Sequence, residues 1–483
     1  MSADALAQAF AHLESGRLTE ARRLARGLEQ ARPEPAALPY LLGLIALAEG
    51  QGKKAAQQLA RACARTPGAI PPLLAFARSQ TLQDRQAEAK SAYRRLLALA
   101  PDLAIGWQEL AELQLRADLK LAFKPLRAAT RLLPGHAGLR SNLGIAARAN
   151  GDVMTADANF LAAILLDPSL AKPYANRAAL LRHRHLPAEA EARRAFRISP
   201  DAASHIELGQ ALDPASALDH FAEAARLLPS QLEPLWLQAE ALRQLDRKEQ
   251  AATLYRQILD RDPEDRFGAG LALAGLVGAI PERAAKAHVE ALYDQYAVSF
   301  EQNLLGELAY RGPQIIMDGL KRLGLTGPFD VYDAGCGTGL MGQAIKQLAK
   351  RLIGVDLSAK MADLARARGI YDEVRVGDLL AMERAAYDLV LAADVLIYLG
   401  DLHQVSRAAS EALRPSGAFA FTVERSEEDA VVLLPSGRFA HSEDHLRQTA
   451  KAAGLQVALL EPTTTRREKD LPVPGLLCIL RKQ

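Results

Sequence analysis

Cysteine is nearly absent from this chain. Its three copies in 483 residues, Cys63, Cys336 and Cys478, lie far apart. They can build neither a disulfide framework nor a cysteine-rich metal centre, so a reducing, cytoplasmic compartment is expected. Aromatic residues are scarce at 5%, which suits helices packed through small side chains. Net charge is also missing: 59 Lys+Arg against 57 Asp+Glu leave +2, which gives no global pull towards nucleic acid or anionic membrane. Long apolar runs are missing too. Residues 269–280 form the longest, and glycines interrupt it. A bilayer needs about 20 residues, so no membrane span is expected. The opening residues, MSADALAQAFAHLESG, lack a basic segment and a continuous apolar core, so no signal peptide is expected there.

What is present is rhythm. Prolines recur at Pro33, Pro67, Pro101, Pro134, Pro168, Pro200, Pro229 and Pro263, with gaps of 34, 34, 33, 34, 32, 29 and 34 residues. Ala21, Ala55, Ala89, Ala156, Ala190 and Ala251 precede their prolines by ten to twelve residues, and Tyr93, Phe160, Phe221 and Tyr255 by eight. Gly16, Gly50 and Gly151 mark turns between paired helices. Small residues let two backbones approach, and proline ends the second helix because it has no N–H to donate. The pattern resembles the tetratricopeptide repeat. Eight units are expected over residues 1–265, with a clipped turn at Asp213-Pro214 in the short seventh unit. The expected architecture is an all-α solenoid whose concave face takes a protein or peptide. Residues 266–312 are expected to hold a capping helix and lid or linker helices.

After Pro281 the pattern changes. Strand-like runs fall at 329–333, 352–356, 373–377, 387–392, 417–424, 456–460 and 475–480. Helical stretches at 338–350, 358–368, 402–413 and 442–453 separate most of them. This alternation predicts a parallel sheet covered on both faces over residues 313–483, seven strands with an antiparallel last pair. The first strand runs into DAGCGTG at 333–339, where Gly335, Gly337 and Gly339 permit a tight turn and close approach to a ligand. Asp356 and Asp378, the latter after Gly377, end the next two strands. A carboxylate at the first of these tips can accept ribose hydroxyls. The second can accept from an adenine amino group. Gly337-Thr-Gly-Leu-Met-Gly342 also satisfies the dinucleotide pattern, but that signal is weak alone. Asp333 at the loop's start gives nothing to a pyrophosphate and favours a cation, so adenosylmethionine is expected over NAD.

The set DAGCGTG, Asp356, Gly377-Asp378 and YDLVLAADVLIYLGDL at 387–402 resembles class I adenosylmethionine-dependent methyltransferases. ALYDQYAVSFEQNLLGELAYRGP at 291–313 and PSGRFAHSEDHL at 435–446 resemble bacterial predicted methyltransferases that carry tetratricopeptide repeats. The resemblance implies a Rossmann-like fold and S-adenosyl-L-methionine as cofactor. It implies cofactor contact by Asp333, Gly335, Gly337 and Gly339, with Cys336 packed in the same loop, and by Asp356, Gly377, Asp378 and Asp394, the last near the transferring methyl. Tyr293, Tyr296 and Phe300 share one helical stripe. They are either core packing or a lid with Tyr293 or Tyr296 over the cofactor. The catalytic residue is unknown; Asp394, Tyr398 and His441 are candidates. His441 and His445 stand four apart, a spacing zinc can use, but no third ligand is evident and no metal is expected. Ser442, Glu443 and Asp444 between them read as a helix start. The leading function is methyl transfer with the repeats recruiting a protein substrate or partner. The alternatives are a small-molecule methyltransferase that uses its repeats for assembly, and a cofactor-binding scaffold without turnover.

Overall fold

The computed structural model describes residues 2–30, 35–296, 310–428, 430–468 and 471–483. Contacts divide the chain into two compact units, Met1–Leu212 and Asp213–Gln483.

The first unit is built from helix pairs. Ser2–Glu14 and Leu18–Glu29 form the first, and the series runs on to Ala137–Ala149 with Val153–Leu166 and Ala171–His183 with Glu189–Ile198. From the second pair on, each closing proline stands two residues past the second helix, as Pro168 does beyond Leu166. The rhythm is written in the core. Ala21, Ala55, Ala89 and Ala156 are wholly buried, and Tyr93 and Phe160 fill the space beside them. A Cβ added to Gly144 would lie 2.5 Å from the Phe160 ring, so only glycine lets these helices close. The sixth pair departs from expectation. Its small buried residue is Ala188, which stands twelve residues before Pro200 as its counterparts stand before their prolines, and Ala190, two residues out of that phase, is exposed.

The second unit begins inside the seventh repeat, where the expected boundary was 265. Asp213 caps the helix Pro214–Leu227, accepting from the Ala215 and Ser216 amides, and only Leu212 and Asp213 separate it from the helix before. The pair Glu233–Gln244 and Lys248–Arg261 follows, then the capping helix Ala269–Val277. Leu271 of that cap packs with Ala284 and Phe439, which joins the last repeats to the sheet and moves the division upstream.

The sheet strands are β1 (Phe329–Ala334), β2 (Ala349–Asp356), β3 (Glu373–Val376), β4 (Tyr387–Ala392), β5 (Leu413–Arg425), β6 (Val432–Leu433), β7 (Phe439–His441), β8 (Leu455–Glu468) and β9 (Leu471–Lys482). Strands β3, β2, β1, β4 and β5 are parallel in that spatial order. β9 runs antiparallel to β5 and pairs with β8 beyond it, also antiparallel. These seven are the strands read from the sequence. The short β6 and β7 form an added hairpin at the far end of β5. Apolar clusters lie on both faces, one around Tyr332, Phe419 and Phe421, the other around Ile316, Val331 and Leu477. The buried centre strands are continuous apolar runs, as a sheet covered on both sides requires. All parallel strands therefore end on one edge, where the loops gather.

Candidate functional site

A cavity of about 540 Å³ opens at the C-terminal ends of β1, β2 and β4. The glycine loop forms its floor. Gly335 and Gly337 have φ of +67° and +54°. A Cβ on Gly335 would come within 2.4 Å of Val395, whereas one on Gly337 would meet nothing within 4 Å. Gly335 thus holds the loop against the chain after β4, and Gly337 leaves open space for a ligand. Gly339 caps the short helix Leu340–Ile345. Cys336 lines the cavity but is buried, and desolvation raises its thiol well above the usual range, so it is held neutral.

Three acids approach this floor. Asp356 accepts from the Gly337 amide at 2.8 Å and the Ser358 amide at 2.9 Å. Burial nevertheless raises its pKa. Asp333 is almost fully buried; its Oδ2 accepts from the Tyr371 hydroxyl at 2.7 Å, and its Oδ1 has no hydrogen-bond partner among the described residues. Burial pushes this carboxyl up to about 7. Asp394 follows β4 with φ of +59°, a left-handed conformation uncommon outside glycine. Its amide donates to the Thr422 hydroxyl at 2.9 Å, and its Oδ2 accepts from Arg466 at 2.7 Å. Its Oδ1 is buried and unpartnered among the described residues, and burial raises its pKa.

Arg466 sits at the centre of a buried ion cluster. It bonds Asp394, Glu424 and Glu468, while Arg438 bonds Glu424 at 3.0 Å and Glu468 at 2.5 Å. Three carboxylates face two guanidiniums, and each Arg orients the others' acids. Both arginines reach the cavity wall. Opposite them the helix Lys286–Tyr296 covers the cavity with Val289, Leu292 and Tyr293. The Tyr293 and Tyr398 hydroxyls lie 3.2 Å apart, with their rings edge to face at 5.8 Å. Tyr310 donates to the Ala393 carbonyl at 3.2 Å. The helix is tied down by Asp294, which accepts from Ser358 at 2.5 Å.

The cavity lining gathers Gly335, Cys336, Gly337, Asp356, Gly377, Asp394, Tyr293 and Tyr398 from the residues expected by sequence. Asp333 lies beneath the loop. Three expected residues stand elsewhere: Gly339, which faces Arg368 and Tyr371, Asp378 and His441. The Asp378 carboxylate is absent from the lining because Arg283 at 3.0 Å, Lys286 at 2.6 Å and the Leu380 amide at 3.0 Å occupy it. His441 is buried on β7, stacked on His445 at 5.3 Å, and does not line the cavity. Desolvation lowers its pKa to about 3, so it is neutral. Ser442 accepts from the His445 amide and caps the following helix, as its neighbours suggested. The side chain of Tyr296, and Phe300, lie outside the described residues.

The residues missed by sequence reasoning are Arg466, Glu424, Tyr371 and Tyr310. Arg466 was hidden because Pro462, Pro472 and Pro474 disguise the length of β8 and β9. Tyr371 lies on no strand or helix, and only its fold position brings it to Asp333.

Comparison with known proteins places this geometry. Residues 332–421 match a methyltransferase domain model. A ubiquinone biosynthesis O-methyltransferase of Bordetella avium is 30% identical over 162 residues, 30% of this chain and 66% of that protein. The chain thus spans just under two thirds of that relative. Among solved structures, a Burkholderia thailandensis 1,6-didemethyltoxoflavin-N1-methyltransferase is 21% identical over 42% of this chain and 92% of that one, at a TM-score of 0.34. YrrB, a TPR protein with an unusual peptide-binding site, is 17% identical over 37% and 94%, also at 0.34.

Proposed function

We propose, from the premise that residues 332–421 form a class I methyltransferase domain, that this chain transfers a methyl group from S-adenosylmethionine. One observation carries the reading. Two buried acid oxygens are unpartnered among the described residues, Asp394 Oδ1 in the cavity lining and Asp333 Oδ1 beneath the glycine loop that forms its floor. Such atoms are costly unless a donor or cation meets them. The cofactor carries both an ammonium and a sulfonium, so the donor set fits it.

The glycine loop with Asp333 would hold the methionine part, Asp356 the ribose hydroxyls, and Gly377 the adenine side. The cofactor supplies an electrophilic methyl on a good leaving group. The chain's own work is to position and to exclude water. Val289, Leu292 and Ile397 give apolar walls, while Tyr293 and Tyr398 offer hydroxyls to the acceptor. Asp394 stays close to Arg466 and is available to accept a proton from an acceptor O–H or N–H.

The repeats recruit a protein or peptide that carries or accompanies the acceptor. A second reading, a small hydroxylated acceptor, is supported by the cavity's apolar walls and tyrosine hydroxyls and by the O-methyltransferase relatives. Calorimetry with S-adenosylmethionine and its demethylated product tests the cofactor, with one site per chain expected. Tight NADH binding without either would overturn it. Labelled cofactor with lysate, separated into protein and small-molecule fractions, decides between the acceptors.

A further inference from the structure

The near-zero net charge conceals a division. Residues 1–212 hold 28 Lys+Arg against 19 Asp+Glu, net +9, and residues 213–483 hold 31 against 38, net −7. The excess in the first unit is concentrated on the outward sides of second helices. On Phe123–Leu132, the exposed residues Lys124, Arg127 and Arg131 follow at spacings of three and four, one helical stripe. None of the three forms an ion pair among the described residues, although acids are common elsewhere in the unit. On Glu189–Ile198, two repeats later, the exposed stripe is Arg193, Arg194 and Arg197, with only Arg193 paired, to Glu189.

The helix Val153–Leu166 belongs to the repeat between them, and its outward side is apolar. Met154, Ala158, Leu161 and Leu165 are exposed at spacings of four, three and four. Met154 is 85% and Leu165 83% exposed. These side chains protrude into solvent. Equivalent helices of stacked repeats recur on one side of the array, so the apolar ridge stands between two basic stripes. The ridge is about 17 Å long at the helical rise.

The geometry points to a peripheral membrane contact: this face seats on an anionic lipid surface, with Met154, Leu161 and Leu165 entering the headgroup–acyl boundary and the flanking Lys and Arg meeting lipid phosphates. Protruding apolar tips with flanking cations are the arrangement of interfacial binders. Single-stranded nucleic acid would ask for exposed aromatic stacking platforms, and the ridge supplies none. An acidic amphipathic helix would ask for an apolar trough rather than a ridge. The inference is independent of the methyl-transfer reading.

The test uses the full chain and sedimentation with two vesicle preparations, phosphatidylcholine alone and phosphatidylcholine with one third phosphatidylglycerol. Binding is expected only to the second, falling at least tenfold between 50 and 300 mM salt because the contact is electrostatic. K124E/R127E/R131E should lower binding at least tenfold. M154Q/L165Q, which alters only exposed side chains and leaves the charge intact, should lower it several-fold with the melting temperature unchanged. The proposal is overturned by equal binding to neutral vesicles, by no binding to anionic ones at 50 mM salt, or by both variants binding like the parent. Capture of an acidic peptide or RNA by this face without vesicle binding overturns it equally.

Discussion

The two units treat buried carboxylates differently. In residues 1–212, no carboxylate leaves a buried oxygen without a partner among the described residues. Glu109, for example, takes both the Tyr93 hydroxyl and Arg78. Around the sheet's loop edge, Asp333 and Asp394 do leave such oxygens. The atoms left buried and unpartnered among the described residues of the first unit, His12 Nδ1, Gln114 Oε1 and Arg182 Nε, belong to no carboxylate. A ligand site must hold something in reserve. Asp265 Oδ1, beside the capping helix, is also buried and unpartnered among the described residues, so it is such oxygens together with the cavity that mark the site.

The comparison breaks first if the dividing line is misplaced. A fragment of residues 213–483 should be soluble and melt cooperatively. One of residues 281–483 should aggregate or melt much lower, because it uncovers Phe439 and Ala284 where Leu271 packs. In the full chain, Leu271→Ala should cost about 2–5 kcal/mol, the usual range for truncating a core leucine. Equal melting of the two fragments would return the boundary to the end of the repeats.

Next, a core change in the repeats should lower stability without touching ligand affinity. Phe160→Ala removes a wholly buried ring and should cost about 3–5 kcal/mol. Denaturant titration measures it, and calorimetry should show an unchanged cofactor constant. In contrast, Asp356→Ala should weaken cofactor binding by about 1–3 kcal/mol, since it removes a charged acceptor. It should also loosen the loop, because the Gly337 and Ser358 amides lose their partner. Unchanged affinity in a folded variant would remove Asp356 from the site.

How much of this was legible follows the same contrast. Repeats were readable because each signature residue does one packing job many times over, so the period averages out noise. Ala190 shows the limit: the neighbouring Ala188, twelve residues before Pro200, holds the buried small position, and two nearby alanines are hard to tell apart from sequence. The strand-tip acids were readable because strand ends lie where apolar runs stop. The ion cluster was not. Arg466 is distant in sequence from Asp394, and only the extended pairing of β8 with β9 carries it there. Likewise, nothing in the order of residues said that Arg283 and Lys286 would occupy Asp378.

A pH series sharpens the contrast further. The Asp333 carboxyl titrates at about 7, raised by burial. A bound cation favours its ionised form, so below pH 7 binding must first expel a proton. Affinity should fall by up to tenfold per unit, about 1.4 kcal/mol, and level off above pH 7. Stability of the free protein should run the other way. The folded state holds this proton more tightly than the unfolded chain, so Asp333's contribution to stability is fully present below the ordinary carboxylate range and is lost as pH rises through about 7. Asp333→Asn should flatten both profiles. A cofactor constant that is level from pH 5 to 8 would mean that no cation meets this acid.

The smallest effect concerns Asp378. Its carboxylate accepts from Lys286 and Arg283, both partly exposed, and such pairs contribute only about 0–1 kcal/mol. Although burial acts to raise its pKa, these cations and the Leu380 amide bring the net shift below the usual value. If Asp378 is to accept from an adenine amino group, it must share or release a cation. Lys286 is the better probe because it stands outside the cavity lining while Arg283 is part of it. Lys286→Ala should therefore leave the melting temperature almost unchanged and tighten cofactor binding about two- to threefold. Asp378→Asn should weaken binding and abolish any gain from the lysine change. A weakening by Lys286→Ala alone would show that the ion pair persists in the bound state and that Asp378 positions the lid helix instead of meeting adenine. The two outcomes differ in sign, so even a small shift decides between them.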